Sequence, residues 1–146
     1  MYKRRRSQVN HAGETMANEL ILIVEDNEKN RRLVRDVLQF KGYQTVESET
    51  AEEGLRLARE SQPALILMDI QLPGMNGIEA LQALRADPTT RDIPVMAVTA
   101  SAMTHDRQKI MASGFDGYQA KPINVKGFLE AVREMLDRRQ GAGAAS

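Results

Sequence analysis

Three carboxylates in this sequence stand at the ends of apolar runs, where a folded sheet could bring them together. Asp69 closes the run 65–68, and Glu25 and Asp26 follow the run 20–24. Each run has the length of a buried strand, and in an open α/β sheet the carboxyl ends of the strands form the reactive edge. Acids crowded at one edge repel one another unless a cation neutralises them, and oxygen ligands suit a hard divalent ion. We therefore predict that Glu25, Asp26 and Asp69 bind Mg²⁺.

Two further residues supply the other groups that phosphate chemistry uses. The hydroxyl residue Thr99 follows the predicted strand 93–98, and the ammonium residue Lys121 follows the weaker strand pattern 115–120. Alone, Thr99 would be an ordinary strand-end residue and Lys121 a solvated one. Together with three acids they predict phosphoryl transfer, which depends on positioning and on neutralising the phosphoryl oxygens. Asp69 is then the predicted nucleophile, and its product is an acyl phosphate.

Composition limits the size of the fold and the kind of site. With 146 residues, 42% of them hydrophobic, the chain is long enough for one domain with a sizeable core. It has no cysteine, which excludes a disulfide, a thiolate metal site and a thiol nucleophile. No apolar run approaches the roughly 20 residues of a membrane helix. We expect a cytoplasmic protein that does not act at a membrane.

The net charge of zero is unevenly distributed along the chain. One lysine and three arginines occupy positions 3–6, whereas the rest of the chain is mildly acidic and poorly suited to nucleic acid. We predict a disordered basic leader at 1–17, a globular domain at 18–138 and a flexible tail at 139–146, in which residues 141–146 are all small. Because no second domain is expected after residue 136, the predicted output is a protein partner and not DNA.

Strand-length apolar runs alternate with segments of helical period, which predicts an α/β fold with a doubly wound parallel sheet of five strands and five helices. The predicted strands are 20–24, 43–47, 65–69, 93–98 and 115–120. Thr50 with Glu53 and Asn76 with Glu79 are capping pairs that open the second and third helices. Asn124 caps the fifth helix. The fourth, at 101–112, has little apolar content, so we expect it to be exposed.

Four motifs taken jointly resemble the receiver domains of bacterial two-component response regulators. They are the pair Glu25-Asp26, the segment 68–77 (MDIQLPGMNG), Thr99-Ala100 and Lys121-Pro122, and the similarity extends from about residue 20 to about residue 136. The stretches ILIVEDN and LMDIQLP are most similar to the single-domain cell-division regulators of alpha-proteobacteria. The resemblance implies the flavodoxin-like receiver fold, with strand order 2-1-3-4-5.

The resemblance also implies how the acidic site works. Asp69 would accept a phosphoryl group from the phosphohistidine of a histidine kinase or a histidine phosphotransfer protein. Asp26, Asp69 and the backbone carbonyl of Gln71 would bind Mg²⁺, with Glu25 assisting through water. The protein would catalyse only its own phosphorylation and dephosphorylation, and so would not be an enzyme acting on other substrates.

The remaining implied roles concern the phosphoryl oxygens and the signal. Thr99 and Lys121 would hold the phosphoryl oxygens, and the Lys121-Pro122 bond is commonly cis in the family. Tyr118 stands where the family carries an aromatic switch that turns inward when Thr99 moves. The fourth helix, fifth strand and fifth helix would then form the surface that reports phosphorylation to a downstream protein.

Three other interpretations share part of this pattern. A haloacid-dehalogenase-type phosphatase needs a second acid two positions after its aspartate nucleophile, where this chain has Gln71. A flavodoxin-like flavin binder needs a Ser/Thr/Gly-rich phosphate loop after the first strand, where this chain has acidic residues at 25–28. A constitutive pseudo-receiver interaction module would lack one of the acids, the threonine or the lysine of the site, and all of them are present.

Overall fold

The centre of the protein is a single sheet of five parallel strands. The computed structural model describes the backbone of residues 8–9, 15–16, 18–100 and 104–145, and the side chains of 18–100 and 106–138. The strands are β1 (Leu20–Val24), β2 (Gln44–Ser48), β3 (Leu65–Asp69), β4 (Val95–Thr99) and β5 (Gly117–Ala120). Ahead of this sheet, Gln8–Val9 pairs antiparallel with Thr15–Met16.

The strand order is β2-β1-β3-β4-β5, which confirms the predicted 2-1-3-4-5 arrangement. Register places Val24 opposite Met68 and Asp69 opposite Val98. The carboxyl ends of β1, β3 and β4 therefore lie level at one edge of the sheet. Because the order reverses between β1 and β3, this edge is the switch point at which open α/β sheets bind ligands.

Five helices connect the strands: α1 (Glu28–Phe40), α2 (Ala51–Ser61), α3 (Gly77–Ala86), α4 (Thr104–Ala112) and α5 (Val125–Ala145). Asn76 and Glu79 form the reciprocal capping box predicted for α3. Thr50 accepts from the Glu53 amide at 3.2 Å, but the Glu53 carboxylate pairs with Arg56 and does not complete the box. The Asn124 side chain accepts from an amide in the first turn of α5, as predicted.

Two apolar layers cover the two faces of the sheet. On one face, Val34 and Leu38 of α1 and Phe128 and Val132 of α5 pack against alternate residues of β1, β3 and β4. On the other, buried residues of α2, α3 and α4 pack against the intervening side chains. Both faces are covered, which explains why the three central strands are apolar without alternation.

Several predicted boundaries differ from the structure. β4 begins at Val95 and not at residue 93, because Pro94 has no amide hydrogen for the ladder. β2 begins one residue later than predicted and β5 two residues later. Leu33 of α1 is 44% exposed despite its apolar side chain, since α1 turns Val34 and Leu38 toward the sheet.

At the C-terminal end, α5 continues to Ala145, beyond the tail boundary predicted at residue 139. The small residues there include three alanines, which have the highest helix propensity. Positions 101–103, the predicted first turn of α4, lie outside the described residues. Among the helices of the described part of the chain, none combines the length and apolar character needed to cross a membrane.

Candidate functional site

The three predicted acids meet at the carboxyl edge of the sheet. Glu25 and Asp69 are buried and Asp26 is exposed. One carboxylate oxygen from each lies within 4.8 Å of the others. Opposite ligands of one Mg²⁺ stand roughly 4.2 Å apart, because each Mg–O bond is about 2.1 Å long. An all-oxygen donor set gathered this closely is of the kind that Mg²⁺ prefers.

Lys121 lies among these acids. Its Nζ is 2.6 Å from Glu25 Oε1 and 3.2 Å from Asp69 Oδ2. Burial opposes the charge of the ammonium, but the hydrogen bond to Glu25 and the charge of Asp69 outweigh that cost and raise the pKa of Lys121. The side chain is therefore a fixed cation that neutralises part of the acid cluster.

The charge balance of the cluster is incomplete. The pKa of Glu25 is raised to about 7, first because its carboxyl is buried. The neighbouring Asp69 raises it further, although hydrogen bonds from Lys121 and from the Asn27 amide favour the ionised form. One lysine thus does not satisfy three carboxylates, and a divalent cation would lower the energy of the ionised site.

Backbone contacts after β3 fix the orientation of Asp69. The Gln71 amide donates to Asp69 Oδ1 at 3.0 Å, and the Gly77 amide donates to the carbonyl of Ile70 at 3.0 Å. A Cβ on Gly77 would lie 2.4 Å from the carbonyl oxygen of Asp69, so only glycine permits this approach. The loop 70–76 is thereby folded tightly over the end of β3.

Thr99 and Lys121 come to the same edge from the next two strands. Thr99 is fully buried at the end of β4, one residue beyond the partner of Asp69. Its carbonyl accepts from the Lys121 amide at 2.8 Å, which ties the end of β5 to the end of β4. The Lys121-Pro122 peptide bond is cis, as the resemblance implied.

Tyr118 lies farther along the same sheet and not in the acid cluster. It is half-buried on β5, opposite Ala97 of β4. The Arg107 guanidinium of α4 lies over its ring, 5.3 Å from the centroid. Tyr118 is therefore at the boundary between α4 and the sheet.

One residue that contacts this edge was missed by the sequence analysis. The Arg31 guanidinium donates to the backbone carbonyls of both Glu25 and Asp26, at 2.9 and 3.4 Å. A side chain in a helix leans toward the helix N-terminus, so a cation early in α1 reaches back to the preceding loop. The position of Arg31 in the first turns after the acid pair was the available signal.

Comparison with known proteins decides the family. The family model described as the response regulator receiver domain matches residues 21–133, which include all the acids together with Thr99 and Lys121. The chain belongs to the response regulator receiver family. This confirms the family and the fold predicted from the sequence, and it favours the receiver interpretation over the phosphatase and flavin-binding alternatives.

Named relatives and solved structures agree with this family. The polar-differentiation response regulator DivK of Brucella ovis is 47% identical over 116 residues, covering 80% of this receiver chain and 94% of DivK. A CheY-like receiver domain protein from Methanospirillum hungatei is 32% identical, with a TM-score of 0.76 over 86% of this chain and 98% of that one.

A second solved structure is similar in fold and contains a metal. It is the receiver domain of a sensor histidine kinase from Pseudomonas aeruginosa, with a magnesium ion coordinated in the active site cleft. It is 29% identical, with a TM-score of 0.76 over 82% of this chain and 98% of that one. The identity to DivK confirms the narrower resemblance to a single-domain regulator.

Proposed function

We propose that this receiver accepts a phosphoryl group on Asp69, in an Mg²⁺-dependent reaction, from a histidine kinase or a histidine phosphotransfer protein. The observation that carries the proposal is the surroundings of Asp69. Its carboxylate is buried, accepts a hydrogen bond from the Gln71 amide, pairs with Lys121 and lies beside two more acids. A purely structural aspartate would not need an acid cluster whose charge is only partly balanced.

In the proposed reaction, one oxygen of the Asp69 carboxylate attacks phosphorus and a P–O bond forms. The bond between phosphorus and the donor breaks, and its electron pair leaves with the donor's imidazole nitrogen, which takes up a proton. The Lys121 ammonium neutralises one phosphoryl oxygen, and the Thr99 hydroxyl donates a hydrogen bond to another. No water is consumed until the acyl phosphate is hydrolysed.

The metal ligands in this proposal are Asp26, Asp69 and the Gln71 backbone carbonyl, with Glu25 acting through water. When bound, Mg²⁺ would neutralise charge on the phosphoryl group and on the acids. The chain's own contribution is to hold the acids at ligand spacing before the donor arrives. Burial limits the contact of Glu25 and Asp69 with water, whereas Asp26 stays exposed.

The proposed output is altered protein binding through the surface formed by α4, β5 and α5. A new anion on Asp69 would draw the Thr99 hydroxyl inward, together with the segment that follows β4. Tyr118 packs against the apolar layer that includes Ala97 of β4, and it contacts Arg107 of α4. A change at Thr99 would therefore reach a surface that a downstream protein can contact.

Intact-mass measurement tests the proposal. The full chain is incubated with acetyl phosphate, with Mg²⁺ or with a chelator, and compared with Asp69→Asn. We expect a gain of one phosphoryl group with Mg²⁺ only, and none in Asp69→Asn. Asp92→Asn, which changes an exposed aspartate outside the site, should gain it like the wild type. No gain, repeated with a panel of histidine kinases, would contradict the proposal and favour a constitutive pseudo-receiver.

A further inference from the structure

Arg31 connects the acid-bearing loop to the neighbouring strand. Its Nη1 donates to the carbonyl oxygens of Glu25 and Asp26, at 2.9 and 3.4 Å. On its other side, Nε lies 3.5 Å from Glu47 and Nη2 lies 3.2 Å from Glu49. The Arg31 side chain is only 13% exposed, although its partner Glu49 is largely in solvent. One guanidinium thus holds the end of β1 against the end of β2.

The backbone held in this way carries the two acids of the first strand end. The Glu25 amide donates to the Ser48 carbonyl at 3.0 Å, which continues the pairing of β1 with β2 by one residue. Beyond that bond the chain turns toward α1, and the exposed Asp26 lies at the turn. Arg31 supplies hydrogen bonds to two successive carbonyls where the strand ladder has ended. The rigid planar fork of arginine suits this task better than a lysine would.

We propose that Arg31 is a positioning residue for the metal site, holding the Glu25-Asp26 backbone so that the two carboxylates face Asp69 at ligand spacing. This inference rests on the proposed function, because it assumes that the acids bind Mg²⁺. Groups that orient metal ligands without touching the metal contribute strongly to affinity. Arg31 acts through the backbone of the ligands, and its guanidinium is not itself a ligand.

Whether replacing Arg31 weakens or tightens Mg²⁺ binding distinguishes a positioning role from simple electrostatics. Arg31 is a cation close to a cation site, so Coulomb repulsion alone predicts that its removal tightens Mg²⁺ binding. Removal also leaves the carboxylates of Glu47 and Glu49 without this partner, which adds negative charge nearby. Positioning predicts the opposite result, since a loosened loop must be ordered again when the metal binds. Weaker binding after a cation is lost therefore points to geometry.

Arg35 offers a matched control one turn farther along α1. It carries the same charge and pairs with Asp36 at 3.1 Å and with Glu47 at 3.7 Å. Its hydrogen bonds and ion pairs in the described structure go to these carboxylates and not to the loop carbonyls. Arg35→Gln thus removes a cation and a bond to β2 but leaves the loop contacts of Arg31 intact.

Calorimetric titration of the metal-free full chain with Mg²⁺ tests the inference. We expect Arg31→Gln to raise the Kd for Mg²⁺ about ten-fold, and Arg35→Gln to leave it within about two-fold. Arg31→Lys keeps the charge and the fold but loses the fork, and we expect an intermediate rise. Equal effects in Arg31→Gln and Arg35→Gln, or tighter binding in either Arg31 variant, would overturn the inference.

Hydrogen exchange gives a second readout that needs no metal. The Asn27 amide donates to Glu25 Oε2 at 3.1 Å, so its exchange rate reports the order of the loop. We expect faster exchange at this amide in Arg31→Gln and Arg31→Lys than in Arg35→Gln, and unchanged exchange would contradict positioning. If the wild type binds no Mg²⁺, the proposed function is contradicted. If the wild type binds Mg²⁺ and the Arg31 variants bind it equally well, only this inference is contradicted.

Discussion

At each edge of the sheet a basic side chain lies among carboxylates, and the two clusters differ in how well the charges are satisfied. At the amino-terminal edge, Arg133 of α5 pairs with Glu19 at 2.7 Å and with Asp137 at 3.0 Å. It also donates to the hydroxyl of Tyr43 and lies over that ring. At the carboxyl edge, Lys121 pairs with Glu25 and Asp69, and Asp26 lies beside these two acids. The Arg133 guanidinium pairs with both carboxylates of the first cluster, whereas Lys121 pairs with two of the three acids of the second.

The two clusters shift the pKa values of their glutamates, Glu19 and Glu25, in opposite directions. Burial disfavours the ionised form of both. At the amino edge the hydrogen bond and charge of Arg133 together with backbone hydrogen bonds outweigh burial, and the pKa of Glu19 falls below its ordinary value. At the carboxyl edge Lys121 is not sufficient, and the pKa of Glu25 rises to about 7. Charge that the fold leaves unbalanced marks the edge where an outside cation can bind.

We expect the largest change in stability at Gly77, the glycine that brings α3 against the carboxyl edge. Gly77→Ala would place a Cβ 2.4 Å from the Asp69 carbonyl oxygen, and we expect a loss of about 3 kcal/mol in the free energy of unfolding. Gly127→Ala is the control, since this exposed glycine of α5 has no contact closer than 3.5 Å and should be neutral or stabilising. Urea denaturation distinguishes the two. Equal stability of both variants would show that the tight turn over Asp69 is not required.

Replacing Arg133 at the amino edge should lower the stability of the fold by a smaller amount. Arg133→Met removes the guanidinium that pairs with the half-buried Glu19, and we expect about 1 to 2 kcal/mol of lost stability with normal phosphorylation. Arg32→Met, which breaks a pair 3.8 Å long between two exposed side chains, should cost less than about 0.5 kcal/mol. Thermal unfolding and intact mass measure both quantities. Loss of phosphorylation in Arg133→Met would contradict the division of roles between the edges.

The two glutamates should also give different pH dependence in the metal-free protein. Because the folded pKa of Glu25 is raised, its protonated form stabilises the fold below its ordinary value of 4.5, and this stability is lost as pH rises toward 7. We expect stability to fall by on the order of 2 kcal/mol between pH 5 and 8. Glu25→Gln should flatten this slope. A slope that persists in Glu25→Gln would place its origin elsewhere.

Glu19→Gln is the matched control for that experiment. The folded pKa of Glu19 is lowered, so its contribution is present above 4.5 and is lost only as pH falls below that value. The slope between pH 5 and 8 should therefore stay as in the wild type. Denaturant titrations in chelator at each pH supply the comparison.

The smallest expected effect concerns competition between cations at the carboxyl edge. Lys121 lies between Glu25 and Asp69, so Lys121→Met should tighten Mg²⁺ binding on the order of three-fold. Lys126→Met changes an exposed lysine in the first turn of α5 and should leave the Kd unchanged. Calorimetry in low salt measures the difference. Weaker binding in Lys121→Met would mean that the lysine organises the acids more than it competes for them.

Much of the fold was predictable because its signals are local. The apolar strands that end at Val24 and Asp69, and the cap formed by Asn76 and Glu79, can be recognised in short windows of sequence. The acid cluster followed from these strand ends, because parallel strands bring their carboxyl ends to one edge. The predicted start of β4 was wrong because Pro94 interrupts the apolar run, and that of β5 because its apolar pattern is weak.

What could not be predicted depends on the direction of long side chains. Arg31 lies on the helix after the acids, yet its role depends on a guanidinium that reaches backward to two carbonyls and sideways to another strand. The contact of Arg133 with Glu19 joins residues that are far apart in the chain, and only packing brings them together. The same holds for Arg107 over Tyr118. No periodic pattern encodes such contacts.

The central claim is that Asp69 carries the phosphoryl group, and chemical mapping tests it most directly. Borohydride cleaves an acyl phosphate and reduces the aspartyl carbonyl to the alcohol of homoserine. After treatment with acetyl phosphate and Mg²⁺, peptide mass spectrometry should find homoserine at position 69, and aspartate there when a chelator replaces Mg²⁺. Homoserine at another aspartate, or none in the Mg²⁺ sample, would contradict the account.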